Sequence, residues 1–204
     1  MSNDFKKSPV TFSLIAVIVI VYVYTTLKYG IEMDVFQGIE AGGFNPVLVV
    51  SFQQYYRLIS ANFIHFGIMH IFCNAYSLYN LGILMEKILG TKKYLIIVLI
   101  SMISTTLFPF ILYFINGSGA TSVMGGISGV IFGLIGSLFA LACIHKDIYM
   151  YLFKQVAFSV ILMLFISLML PSISLTGHIG GMIGGFLATL LIEKIEQSKN
   201  KIIN

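Results

Sequence analysis

The chain has 204 residues, 58% of them hydrophobic and only 10% charged, with a formal net charge of +4 and a mean hydropathy of +0.96. A soluble domain carries about 25% charged residues and needs polar cover for its surface, so an ordinary soluble domain, a disordered chain, a coiled coil and a disulfide scaffold are all excluded, leaving a polytopic membrane protein. The basic balance does not point to nucleic acid, because Lys and Arg are scattered rather than gathered into a patch.

A membrane-spanning helix needs about 20 mostly apolar residues. The first such run, Val10 to Leu27, follows Lys6 and Lys7. It is too long for a signal peptide core and no small-x-small cleavage site follows, so a retained helix over about 10–28 is expected. The connection over about 29–65 mixes Phe36, Val47 to Val50 and Phe52 with Gly, Pro and acidic residues. A loop of that length and character predicts short helices dipping into the outer interface. The charge-free stretch from Arg57 to Glu86 holds a second span over about 66–86. Lys93 to Lys146 is long enough for two spans, about 93–115 and 123–144, with the turn at Asn116-Gly117-Ser118-Gly119. Lys154 to Glu193 holds two more, about 150–170 and 175–193, with Pro171-Ser172 near the turn. The expected fold is all-α: one domain over residues 1–204, a six-transmembrane-helix bundle with a long membrane-dipping loop between the first and second helices.

Loop charge orients these spans. Lys6, Lys7, Lys87, Lys92, Lys93, Lys146, Lys154, Lys194, Lys199 and Lys201 all fall on one side if both termini are cytoplasmic. The opposite side keeps Lys28 and Arg57 with Glu32, Asp34 and Glu40. Cys73 and Cys143 lie in apolar runs and read as buried free thiols.

Polar side chains are costly in a span and ask for a reason. The second span carries His70 and Asn74, with His65 just before it; the fourth opens with Gly125-Gly126-Ile127-Ser128-Gly129; the sixth opens with Thr176-Gly177-His178-Ile179-Gly180-Gly181. In this orientation all three spans enter from the outer face. At a rise of about 1.5 Å per residue, Ser128, His178, His70 and Asn74 lie at one depth, on the order of 10 Å below the outer surface. His70 and Asn74 are spaced i, i+4 and share a helix face; both can donate hydrogen bonds. Gly126 and Gly129 flank Ser128, and Gly181-x-x-x-Gly185 is a small-xxx-small face that admits close helix approach. If the fourth and sixth spans pack through such faces, the Ser128 hydroxyl reaches the His178 imidazole. With no Asp or Glu in either span, the expected set is a Ser-His dyad.

Taken singly, each residue has a plainer reading. Ser128 alone is a packing serine in a Gly-rich face, His178 a bundle histidine on a carbonyl, and His70 with Asn74 interhelical glue. The coincidence of depth is what argues against these.

Several motifs in order resemble the rhomboid intramembrane serine proteases. Gly126-Ile127-Ser128-Gly129 resembles the family's G-x-S-G, and His65-x4-His70-x3-Asn74 its H-x4-H-x3-N. Gly177-His178 with Gly180, Gly181 and Gly184 resembles the motif around the catalytic histidine. Tyr56-Arg57 resembles the first loop's Trp-Arg, with Tyr for Trp, and Glu86-x3-Gly90 the E-x3-G closing the second span. The likeness covers roughly residues 10–195.

That resemblance implies an intramembrane serine endopeptidase cutting transmembrane segments of other membrane proteins. Ser128 is then the nucleophile and His178 its base. His70, Asn74 and the Ser128 N–H form the oxyanion hole, and His65 supports the site. Phe132, where some family members have Tyr, packs under the imidazole; Arg57 and Glu86 steady the loop and a helix end. The implied setting is the plasma membrane, with the lipid bilayer and substrate helices as partners and with no metal, cofactor or nucleic acid. Two other readings differ in class: a non-catalytic rhomboid-like protein that binds membrane helices, and a cytochrome with His70 and His178 as axial haem ligands. A zinc site is weaker, since no H-E-x-x-H or Cys cluster occurs.

Overall fold

Within lipid a backbone satisfies its own polar groups only as a helix or a closed barrel. The computed structural model, which describes residues 2–169 and 174–203, takes the first course. A short α1 (Ser2–Lys7) leads into α2 (Pro9–Tyr29), which starts on a proline whose missing N–H costs nothing at that position. Three short helices follow in the long connection: α3 (Val35–Ala41), α4 (Pro46–Ser51) and α5 (Arg57–Ser60), the last running into a 3₁₀ turn at Ala61–Phe63. Then come α6 (Ile68–Ser77), a π-helical turn at Leu78–Gly82, and α7 (Ile83–Leu89), which form one rod. The remaining helices are α8 (Thr91–Asn116), α9 (Ser128–Ile144), α10 (Lys146–Met169) and α11 (Leu175–Ile203).

Pro9–Tyr29, Ile68–Leu89, Thr91–Asn116 and Leu175–Asn200 are each long and apolar enough to cross a bilayer, so the protein is all-α and multi-pass. α9 is apolar but only 17 residues long. Its buried residues run all round it, from Gly129 through Phe132 and Leu134 to Ala142, and a helix apolar on every side belongs inside a bundle. It is the central post against which α8, α10 and α11 pack.

Glycine sets how closely these helices meet. A Cβ on Gly181 or Gly185 of α11 would overlap the carbonyl oxygens of Gly129 and Gly133 on α9. The neighbouring pair, Gly180 and Gly184, faces Ser104 of α8 in the same way. α11 therefore presents two adjacent small-residue stripes, one to each neighbour, and backbone lies against backbone.

The long connection is tied down by polar contacts. Arg57 is 4% exposed; its guanidinium donates to the carbonyls of Ile39 and Gly43, both at 2.7 Å, and to Gln54 Oε1 at 2.6 Å. Asp34 and Gln37 form a reciprocal capping box on α3, and Asn45 caps α4 through Leu48 N–H. Phe44 and Met124 exchange backbone hydrogen bonds at 2.8 and 2.9 Å, fastening this loop to the segment before α9. At the other end of the bundle Glu86, 1% exposed, accepts from Val10 N–H, Thr11 N–H and Thr11 Oγ1 at 3.1, 2.8 and 2.8 Å, capping the first turn of α2.

Some expectations need correction. The helix expected over about 123–144 begins at Ser128, because Met124 is committed to the Phe44 bridge and Gly126 adopts φ +117°. The last helix continues past 193 to Ile203, its charged end needing no lipid. Cys73 and Cys143 are unpaired but exposed; an apolar sequence neighbourhood does not bury a residue when lipid covers the outward face. Pro171-Ser172 lies outside the described residues.

Candidate active site

Ser128 is the first residue of α9, so its N–H, like every N–H in a first turn, has no acceptor within the helix. The turn that delivers it is fixed from three directions. Gly126 N–H donates to Ala61 O at 2.9 Å, Ile127 N–H approaches His65 Nε2 at 3.5 Å, and the Phe44–Met124 pair holds the strand-like approach. The φ of +117° at Gly126 is one that side-chain-bearing residues rarely adopt, and it brings the chain back across α6. A Cβ at Gly126 would lie 2.7 Å from His70 Nε2 and 3.4 Å from Asn74 Nδ2.

His178 lies in the first turn of α11 and its N–H donates to Ser174 O at 3.1 Å. The close approach of α9 and α11 sets His178 Nε2 2.9 Å from Ser128 Oγ. Phe132, one turn after Ser128, lies parallel under the imidazole, with ring centroids 4.2 Å apart and planes 16° apart. The imidazole is 5% exposed and Ser128 half-buried, so the pair meets at the floor of a depression.

That depression is a cavity of about 660 Å³ lined by Ser128, His178, His70 and Asn74, together with the turn Gly125-Gly126. Phe66 N–H is directed at His70 Nδ1 at 3.5 Å, which favours the tautomer carrying its proton on Nε2, the atom beside Gly126. Asn74 is 5% exposed, and its Nδ2 has no hydrogen-bond partner among the described residues. A buried amide with an idle donor is uncommon and asks for a purpose. His65 is fully buried behind this wall, edge-on to His70 with centroids 5.0 Å apart and with Nδ1 3.2 Å from Phe63 O. Ser128, His178, His70, Asn74, Gly126 and Phe132 thus come together. Gly129 serves the helix contact, where a Cβ would overlap Thr105. Arg57 and Glu86 stand apart from the cavity, in the loop and at the foot of α2 respectively.

Sequence reasoning overlooked three lining residues. Asn62 is buried behind α5 with its Nδ2 on Ile59 O and Met102 O, at 3.1 and 3.3 Å, while its Oδ1 has no partner among the described residues. Glu32 and Asp34, at the start of the long connection, line the mouth. Only the spacing Asn62-x2-His65 could have drawn attention to Asn62, and nothing local marks the two acids. On the same side of the protein Glu40 pairs with Lys28 at 2.6 Å, which holds the Glu40 carboxyl below its ordinary range. Among the described residues no group of three or more His, Cys, Asp or Glu is placed to hold a metal ion. The His178 nitrogen that an axial haem ligand would use is the one on Ser128.

A hydroxyl on an imidazole, with neighbouring donors beside an open hollow, is an arrangement suited to acyl transfer. A family model described as the Rhomboid domain matches residues 52–195. The rhomboid protease GluP of Bacillus subtilis (strain 168) is 29% identical over 139 residues, covering 66% of this chain and 25% of that protein. RHOMBOID-like protein 4 of Arabidopsis thaliana is 30% identical over 151 residues, 72% of this chain and 36% of that protein. The rhomboid protease GlpG of Salmonella typhi is 31% identical over 131 residues, 64% and 43%. The chain thus spans between a quarter and less than half of the length of these relatives.

Proposed function

This chain belongs to the rhomboid family, and from that premise we propose that it is an intramembrane serine endopeptidase that cleaves transmembrane segments of other membrane proteins. The observation that carries the proposal is the 2.9 Å contact between Ser128 Oγ and His178 Nε2 at the floor of a cavity.

In this reading Ser128 Oγ attacks the scissile carbonyl carbon as its proton passes to His178 Nε2. The carbonyl oxygen becomes an oxyanion and accepts from Asn74 Nδ2, His70 Nε2 and the Ser128 N–H. The idle Asn74 donor and the His70 tautomer support that role, since preorganised donors act where charge develops. Collapse of the tetrahedral intermediate breaks the C–N bond, and His178 returns its proton to the leaving amine. A water, deprotonated by His178, attacks the acyl-enzyme ester; the acid leaves and Ser128 recovers its proton. Phe132 keeps the imidazole plane aligned through both halves. A helical peptide bond is shielded by its own hydrogen bonds, so the substrate unwinds locally, and helix-breaking residues near the bond favour this.

The proposed setting is one domain of six crossings in the plasma membrane. The lysine asymmetry supports cytoplasmic termini and a cavity opening on the outer side. The test is cleavage of a reporter transmembrane helix in liposomes by wild type, Ser128→Ala and His178→Ala, beside labelling with a fluorophosphonate. Cleavage and labelling by wild type alone are the expected result. A wild type that binds the reporter helix but neither cuts nor labels makes the protein a non-catalytic membrane-helix binder.

A further inference from the structure

The cavity over the dyad has two charged lining residues, Glu32 and Asp34, and both are carboxylates. Each is exposed, and each is held by a backbone donor: Gln37 N–H on Asp34 Oδ1 at 2.9 Å, Ile68 N–H on Glu32 Oε1 at 3.3 Å. The Glu32 carboxylate lies flat against Gly67, where a Cβ would displace it. These contacts fix where the carboxylates sit and leave a second oxygen on each with no cationic partner among the described residues. The two basic residues of the long connection and the end of α2 are engaged elsewhere: Lys28 pairs with Glu40, and Arg57 is buried on loop carbonyls. Asn74 and Asn62, both nine-tenths buried, line the same cavity, and Asn74 Nδ2 and Asn62 Oδ1 have no hydrogen-bond partner among the described residues. The charge of the cavity therefore sits with these two carboxylates, while the greater part of its wall is apolar.

We propose that Glu32 and Asp34 read positive charge on the substrate, so that the protein prefers segments bearing Lys or Arg within a few residues of the scissile bond, on the part that lies in the wet mouth. This inference rests on the protease reading and names its substrate class. Backbone-fixed carboxylates need no ordering when a cation arrives. Because they face water, the attraction is modest, roughly 2–5-fold in kcat/KM for a single cation, and it weakens steadily as salt shortens the Debye length, which is about 8 Å at physiological ionic strength. A substrate Glu at the same place is disfavoured in like measure.

The test uses reporter helices with a single Lys, Gln or Glu placed in turn at each position flanking the bond, cleaved by the full chain in liposomes of neutral lipid. At one position or more the wild type ranks Lys above Gln above Glu, and in the Glu32→Gln/Asp34→Asn double variant the Lys-to-Glu ratio collapses toward one. Gln and Asn keep the acceptor for Ile68 and Gln37 N–H, and fluorophosphonate labelling of Ser128 reports whether the variant is folded. Equal cleavage of Lys and Glu reporters by wild type at every position overturns the inference, as does a ranking that survives in a labelled double variant. If that variant fails to label, the wild type decides alone: a Lys-to-Glu ratio that does not fall between about 0.05 and 0.5 M salt overturns it. Absence of cleavage of every reporter by wild type strikes the protease reading instead.

Discussion

Replacing Gly181 by Ala adds one methyl group where α9 and α11 touch, and the structure sets the size of the effect. The new Cβ meets the Gly129 carbonyl, with the carbonyl carbon 2.7 Å away and Thr105 Oγ1 at 2.9 Å, whereas ordinary contacts are 3.4–4 Å. Both obstacles are hard, one being backbone and the other a β-branched side chain, so the helices must separate. Moving the carbonyl carbon out to ordinary contact opens the pair by at least about 0.7–1.3 Å, the carbonyl oxygen being nearer still, since packed backbones have no slack. Gly129 adjoins Ser128, and Gly181 is one turn from His178. Transmitted to the dyad, that opening carries the 2.9 Å contact to about 3.6–4.2 Å, past the limit for a hydrogen bond. A misplacement near 1 Å costs about 100-fold in rate, or about 2.7 kcal/mol of barrier. Single-turnover cleavage of the reporter helix measures it, with fluorophosphonate labelling rate as the companion readout and thermal unfolding in detergent to verify the fold. Gly185→Ala, a turn further along against Gly133, serves as comparator: it strains the same interface but farther from the dyad, so it lowers Tm with a smaller loss of rate. A folded Gly181→Ala protein whose cleavage rate stays within about threefold of wild type, against the expected 100-fold, refutes the reasoning.

On the proposed oxyanion role of Asn74 and His70, Asn74→Ala and His70→Ala each lower kcat by about 10²–10³ while leaving KM nearly unchanged, because such a donor is used only in the transition state; steady-state kinetics at saturating reporter distinguishes this from a binding defect. Phe132→Ala removes the ring under His178, costs about 3–5 kcal/mol of stability as a large-to-small change in the core, and slows cleavage as well, whereas Phe132→Tyr keeps the stacked plane and most of the rate. Glu86→Ala strips α2 of three hydrogen bonds at a buried end and destabilises the fold by about 3 kcal/mol or more, read as a fall in Tm, with the burst amplitude per folded molecule little altered.

The chain's class and much of its candidate site were readable from residue order because the relevant signals are local. Runs of about 20 apolar residues between lysines mark helices in lipid wherever they occur. Glycines around Ser128 and His178 announce close packing whatever the partner. The depth of polar residues follows from counting along a helix. Facing is another matter. A spanning helix is apolar toward lipid and toward protein alike, so hydropathy does not show that Cys73 and Cys143 face outward or that α9 is the buried post. The start of α9 was missed because Met124 answers to Phe44, eighty residues earlier, and not to its own neighbours. Glu86 finds its donors on α2, and Asn62, Glu32 and Asp34 become part of the cavity only when the long connection folds back over α6. Residue types and their order along the chain decide which chemistry is available. Which groups meet depends on contacts between segments far apart in sequence, and these form only when backbones pack closely enough to exclude every alternative.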